Sequence, residues 1–113
     1  MHTTEKSSYV YIVTNPGRTT LYTGVTNNIR ARLIEHWSNR GDPVTFAGKY
    51  FCYNLVYLEQ FEDITDAIAR ETEIKKWNRK KKEALIAGTN PHWSFLNEKI
   101  CGHWPPRSSY KRY

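Results

Sequence analysis

Two short runs, Tyr9-Val10-Tyr11-Ile12-Val13 and Leu21-Tyr22-Thr23-Gly24-Val25, lie on either side of Asn15-Pro16-Gly17-Arg18. Aromatic and β-branched residues favour extended backbone, and an Asn-Pro-Gly stretch between them reverses the chain, so the segment reads as a β-hairpin. The apolar content of both strands suits a sheet covered by helices. No other feature limits the fold as much, because every later element has to pack against this ribbon.

The rest of the chain supplies that cover. Asn27 or Asn28 can cap a helix running to about Ser38, with Ile29, Leu33 and Trp37 four apart on one face. After a loop containing Gly41, Asp42, Pro43 and Gly48, the run Tyr50 to Phe61 reads as the longest strand. Asp63 or Thr65 then starts a helix from about Ile64 to Trp77, with Ile64, Ala67, Ile68 and Ile74 on its apolar side. A further helical stretch from Arg79 to Ala87 is expected to stop at Gly88, with Pro91 barring continuation. The order β-β-α-β-α-α defines an α+β domain, a small and mainly antiparallel three-stranded sheet flanked by helices. We expect an N-terminal extension over residues 1–7, the domain over 8–98, and a basic, proline-containing tail over 99–113, loosely attached from Cys101 on.

At 113 residues the chain has room for one modest core and not for a second, DNA-targeting domain. A net charge of +6 and a pI near 9.4 favour an anionic partner, with nucleic acid the commonest and acidic lipid or an acidic protein the alternatives. No apolar run approaches the ~20 residues that span a bilayer, and the first thirty residues hold no long apolar stretch. A soluble, cytoplasmic protein without membrane partners is therefore expected. Cys52 and Cys101 do not make a disulfide framework.

Charged residues in unsuitable places point to chemistry. Glu71 lies three residues from Ile68 and three from Ile74, so it projects from the middle of the apolar helix face. Burying an unpaired carboxylate costs several kcal/mol or more. Glu71 must therefore meet a cation, enter a hydrogen-bond network or line a cleft. Arg32 and His36, four apart, flank the Ile29 and Leu33 stripe and should lean toward the sheet edge. An inward-leaning arginine needs an anion, either an acid such as Glu71 itself or a phosphate gripped by the guanidinium fork. In a hairpin centred on Pro16 and Gly17, Tyr11 would lie across from Tyr22 with both phenols on one face.

Taken in order, Tyr11, Tyr22, Gly24, Arg32, His36 and Glu71 resemble the pattern of the GIY-YIG nuclease superfamily. The first motif would match Val10 to Ile12 and the second Tyr22-Thr23-Gly24. The match is to the small single-domain members, similar to the excinuclease N-terminal domain, and covers roughly residues 8–98. Tyr9-Val10-Tyr11 stands where Gly-Ile-Tyr is usual. Asn90 before Pro91 matches a later asparagine of the pattern, although Asn-Pro is also an ordinary turn pair. The segment Asn90-Pro91-His92-Trp93-Ser94-Phe95-Leu96 keeps the frame of the small members' tail motif but has Phe95 where an acid is usual.

The resemblance implies the same α+β architecture and a one-metal hydrolysis of a phosphodiester. Glu71 would hold one divalent ion per site, Mg²⁺ or Mn²⁺, a hard cation that binds through few carboxylates plus water and phosphate. The ion and Arg32 would neutralise charge on the phosphate. Tyr11 would take the proton of the attacking water, Tyr22 would hold water or phosphate, and His36 would orient a neighbour or touch phosphate. A phenol with a pKa near ~10 is a poor base at neutral pH, so nearby cations, Lys49 among them, would have to lower it.

The stretch Lys75, Lys76, Arg79, Lys80, Lys81 and Lys82 carries six of the seventeen lysine and arginine residues and is interrupted by Trp77. Following directly from the Glu71 helix, it reads as a track for a nucleic-acid backbone. Cys101 and His103 fall short of a zinc ligand set, and no small-molecule cofactor signature is present. Two functions follow: a metal-dependent DNA endonuclease selective for structure or strandedness, in repair or recombination, or a non-catalytic nucleic-acid-binding module on the same scaffold. DNA is the expected partner, with RNA the alternative.

Overall fold

The computed structural model describes residues 7–107. Its elements are β1 (Ser8–Thr14), β2 (Leu21–Thr26), α1 (Ile29–Ser38), α2 (Phe46–Lys49), β3 (Asn54–Phe61), α3 (Ile64–Lys75), α4 (Arg79–Thr89) and α5 (Asn97–Cys101). The three strands form one antiparallel sheet in the order β2-β1-β3, giving the α+β class expected from the hairpin.

β1 is central, and both of its faces are covered. Val10 and Ile12 pack with Val56 and Tyr57 of β3 against Ala67 and Ile74 of α3 and Ile86 of α4. Tyr11 and Val13 pack with Leu55 on the opposite face, against Ile29 and Leu33 of α1, Ala47 of α2, and Cys52. Val10 to Val13 are wholly buried. A continuous apolar run, not an alternating one, is what a strand covered on both faces requires. The β1–β3 register shifts between Ile12 and Val13. Such a bulge lets the consecutive residues Val56 and Tyr57 both join the cluster under α3 and α4.

Four boundaries differ from the sequence expectation. The third strand begins at Asn54, not Tyr50, because Thr45 caps a short helical turn and Phe51 takes a left-handed φ of 57° that breaks the extended run. α3 ends at Lys75, and it buries Ala67 and Ile74 while Ile64 and Ile68 remain largely exposed. Ile68 is one residue beyond Ala67 and about 100° round the helix, so the two cannot share the inner face. α4 runs through Gly88 to Thr89 and is capped by Asn90. One glycine inside a helix costs only ~1 kcal/mol, so it does not impose a stop. α5 was not anticipated: residues 99–101 of the expected tail are helical, and Trp104 packs edge-on against Trp37 of α1. Residues 1–6 and 108–113 of the expected extension and tail lie outside the described residues.

The free side of β3 is sealed by the segment from α4 to α5. Asn97, almost completely buried, accepts from the Leu55 amide at 2.7 Å and donates to the Tyr53 carbonyl at 2.8 Å. The Leu96 amide bonds the Leu55 carbonyl, and the Asn90 side chain donates to the Val56 carbonyl at 3.0 Å. These bonds satisfy an edge strand that would otherwise present unpaired groups. No helix among the described residues is long and apolar enough to cross a membrane.

Candidate functional site

The hairpin closes one residue later than its Pro-Gly centre suggests. Asn15 Oδ1 accepts from the amides of Thr19 and Thr20 at 2.8 and 3.0 Å, and Arg18 adopts a φ of 58°. That side-chain clamp makes Thr14 and Leu21 the last pair of the ladder, so Tyr11 lies opposite Gly24 and Tyr22 opposite Val13. The expected Tyr11–Tyr22 cross-strand pair is thus a diagonal one. Because the shift on the partner strand is even, both phenols keep the same face, with ring centroids 6.4 Å apart.

Gly24 gives Tyr11 its path. A β-carbon on Gly24 would lie 2.8 Å from Tyr11 Cε1 and closer still to Cζ and the hydroxyl, so only glycine lets the ring lie across β2. The hydroxyl then reaches α1. It sits 2.8 Å from His36 Nε2 and accepts from Arg32 Nη1 at 3.3 Å. α1 presents both partners because Asn28 caps it through the Ala31 amide and Ile29 and Leu33 fix its inner face.

Electrostatics define the direction of the Tyr11–His36 bond. Burial pushes the His36 imidazole down to about 4, with the Arg32 charge adding to the effect, so the ring is neutral at pH 7. A neutral Nε2 facing a hydroxyl accepts, and the Tyr11 hydroxyl donates. Burial pushes the Tyr11 phenol up to about 12, against the opposing pull of the Arg32 hydrogen bond and charge. Among the described residues no group brings this phenol below its ordinary range. Lys49, expected to help, sits at the end of α2 against the Tyr50 ring.

Tyr22, Arg32 and His36 line a cleft of about 190 Å³ together with Glu35, Asn39, Thr45, Phe46 and Ala47. Tyr22 meets the His36 ring edge-on at 5.5 Å. Glu35 pairs with Arg32 Nε at 3.2 Å, so the anion that Arg32 requires is this neighbour on its own helix and not Glu71. Glu35, Asn39 and Phe46 were not foreseen. Glu35 and Asn39 belong to α1 and its C-cap, where nothing but packing distinguishes them from other polar helix positions, and Phe46 follows in a loop and short turn that packing brings beside Tyr22.

Glu71 is on α3, which packs on the Val10 and Ile12 face of the sheet, and it is not among the residues that line the cleft. Its side chain is 15% exposed between Ala67 and Ile74, and it pairs with Lys75 at 2.9 Å. The Lys75 ammonium in turn lies 5.9 Å from the Tyr22 ring centroid. A single carboxylate of this kind, largely buried and held by one lysine, would leave most of a divalent ion's coordination to water and substrate, the habit of Mg²⁺. Among the described residues no group of three or more His, Cys, Asp or Glu assembles, so a cage made wholly of protein ligands is not built.

Asn90 is placed elsewhere. At the α4 C-terminus it uses its amide on the Val56 and Ser94 carbonyls and its side-chain oxygen on the Ser94 amide, all at β3, the strand farthest from β2. The basic stretch is also divided. Arg79 donates to the Thr19 and Arg18 carbonyls and pairs with Glu83, fastening α4 to the hairpin loop. Lys75 is held by Glu71, Lys81 lies over the Trp77 ring at 4.3 Å, and Lys76 and Lys80 are exposed.

The three-stranded β2-β1-β3 sheet carries paired tyrosines, with an arginine and a histidine on the first helix and a glutamate on the third, in the order that the GIY-YIG resemblance implies. The model of the GIY-YIG catalytic domain matches residues 7–84, and the chain belongs to that family. Within it, the chain is 38% identical to a UPF0213 protein of Natronomonas pharaonis over 70% of its own length and 89% of the relative's. It is 39% identical to a UPF0213 protein of Staphylococcus aureus, over 71% and 94%. The solution NMR structure of a UPF0213 protein from Bacillus halodurans superposes with a TM-score of 0.51 at 27% identity, covering 81% of this chain and 95% of that one.

Proposed function

We propose that the protein is a metal-dependent endonuclease that hydrolyses DNA phosphodiester bonds and selects by structure or strandedness, a chemistry suited to repair or recombination. The observation that carries this reading is the convergence of His36 and Arg32, which line a cleft together with Tyr22, on the hydroxyl of the buried Tyr11 behind them through two hydrogen bonds. A buried phenol, a neutral imidazole and a guanidinium in mutual contact have no packing advantage over apolar residues, whereas they suit proton movement beside a phosphate.

Arg32, half-buried, offers its fork to the phosphate in exchange for Glu35. Tyr11 is wholly buried beneath Arg32, so it takes a proton from water only once Arg32 has swung from its hydroxyl to the phosphate and opened it to the cleft; it passes its own proton to His36 Nε2 in the same step, so a free phenolate never has to exist in a site that strongly opposes one. The phosphate charge beside the imidazole favours its protonated form during that transfer. Tyr22, at the mouth of the cleft, holds water or a phosphate oxygen. Glu71 would hold the divalent ion, Mg²⁺ or Mn²⁺, which when bound supplies positive charge against the scissile phosphate. Asn90 supports β3 through its bonds to Val56 and Ser94.

The test is cleavage of single-stranded, duplex, flapped and branched DNA with Mg²⁺ or Mn²⁺ by the wild type and by Glu71→Ala. Cleavage by the first and not the second is expected. Binding by both without cleavage on any substrate would leave the second reading, a non-catalytic nucleic-acid-binding module. The Lys75–Glu71 ion pair favours that reading, since it already neutralises the acid.

A further inference from the structure

Three aromatic rings form a chain from the cleft to the surface. Phe46 stacks on Tyr22 with centroids 6.3 Å apart and planes inclined by 28°, and Tyr50 follows Phe46 at 4.8 Å. Phe46 and Tyr50 are 50% and 41% exposed and belong to neither core cluster. Folding gains little from large rings held half in water, so their placement serves something outside the core.

The turn that carries them is built tightly. Thr45 Oγ1 accepts from the Gly48 amide at 3.0 Å, the Gly41 amide bonds the Gly48 carbonyl at 2.8 Å, and Asp42 Oδ1 accepts from the Val44 amide at 2.9 Å. A β-carbon at Gly48 would lie 2.7 Å from the carbonyl oxygens of Asn39 and Asp42, so the turn presses on the preceding loop with no room for another residue. The rings are thus positioned before any ligand arrives, which lowers the entropy cost of binding.

Positive charge borders the rings. The Lys49 ammonium is 5.3 Å from the Tyr50 centroid, Lys75 is 5.9 Å from that of Tyr22, and Arg32 lines the same cleft. Flat apolar faces edged by cations match the chemistry of a nucleobase on an anionic backbone. We infer that Phe46 and Tyr50 form a stacking platform for an unpaired nucleobase beside the scissile phosphate, so that the substrate is a nucleic acid with an unpaired strand at the cleft: a flap, gap, loop or free end. The inference rests on the nuclease reading and deepens it. A paired base has both faces covered by its neighbours and cannot offer one to Phe46 without leaving the stack.

Binding is measured in EDTA by fluorescence anisotropy, using a labelled oligothymidylate, its oligouridylate counterpart and a duplex of equal length. Phe46→Ala should weaken single-strand binding at least about five-fold, the lower end of the effect of one lost base stack. Duplex binding should change by less than about two-fold on the same reasoning. Phe46→Leu, which keeps the apolar bulk without the flat face, should behave like Phe46→Ala, and Phe46→Trp like the wild type. Tyr50→Ala gives a second, independent loss. Equal effects on single strand and duplex would overturn the platform, as would Phe46→Leu binding like the wild type. So would a self-association that Phe46→Ala abolishes while single-strand affinity is unchanged. Failure of the two readings differs: Phe46-dependent binding with no cleavage on any substrate removes the nuclease, and cleavage indifferent to Phe46→Ala removes the platform.

Discussion

Gly24→Ala tests the geometry on which the site depends. The added methyl would meet Tyr11 Cε1 at 2.8 Å, with Cζ and the hydroxyl nearer, and the ring has nowhere to go because it is wholly buried and tied to His36 and Arg32. Forcing a methyl into a packed core costs about 1–3 kcal/mol, while replacing a strand glycine by alanine returns roughly 0.5–1 kcal/mol. A net loss of up to about 2.5 kcal/mol follows from those two terms. On a domain of this size each kcal/mol lowers Tm by about 4–8 °C. Urea titration of the wild type, Gly24→Ala, Tyr11→Leu and the double variant completes a thermodynamic cycle. A leucine side chain in place of Tyr11 lacks the ring atoms that crowd Gly24, so the alanine should there be neutral or slightly stabilising. The coupling should be about 1 kcal/mol or more. An effect of Gly24→Ala that is the same with and without the Tyr11→Leu substitution would show that the ring does not cross β2 at this glycine.

Two further outcomes follow. His36 has a folded pKa of about 4, below its ordinary 6.5, so protonation opposes folding and its contribution is complete above pH 6.5 and lost as pH falls toward 4. The loss is at most about 3 kcal/mol, and His36→Gln should flatten the stability curve in that window; an identical curve would refute burial of the neutral ring. Replacing Lys80, Lys81 and Lys82 by alanine should lower DNA affinity and flatten its dependence on salt concentration, read by anisotropy at several ionic strengths. An unchanged slope would remove these lysines from the track.

Much of the molecule was legible in local pattern. The β-hairpin, the capped first helix and the order of the long elements follow from residue type and period, which act over a few neighbours. Glu71 also stood out without a structure, because a carboxylate at helical spacing among apolar residues needs a partner, and Lys75 on the same helix provides one. The apolar face itself was misjudged. Ile68 has the hydrophobicity of a core residue, but Ala67 takes the inner position and turns Ile68 outward.

The sequence alone determined the class of fold, one face of paired phenols, and the charged residues needing partners, since alternation and the 3.6-residue turn are properties of the chain. Tertiary structure decided who meets whom. The Asn15 clamp set the register that puts Tyr11 over Gly24; helix α1 brought His36 and Arg32 to its hydroxyl and gave Arg32 the neighbour Glu35; packing placed Phe46 on Tyr22 and spent Asn90 and Asn97 on the edge of β3. Apart from the local Arg32–Glu35 pair and the Asn15 clamp, these pairings join residues far apart in the chain through hydrogen bonds and close packing, and neither leaves a periodic signal in the sequence.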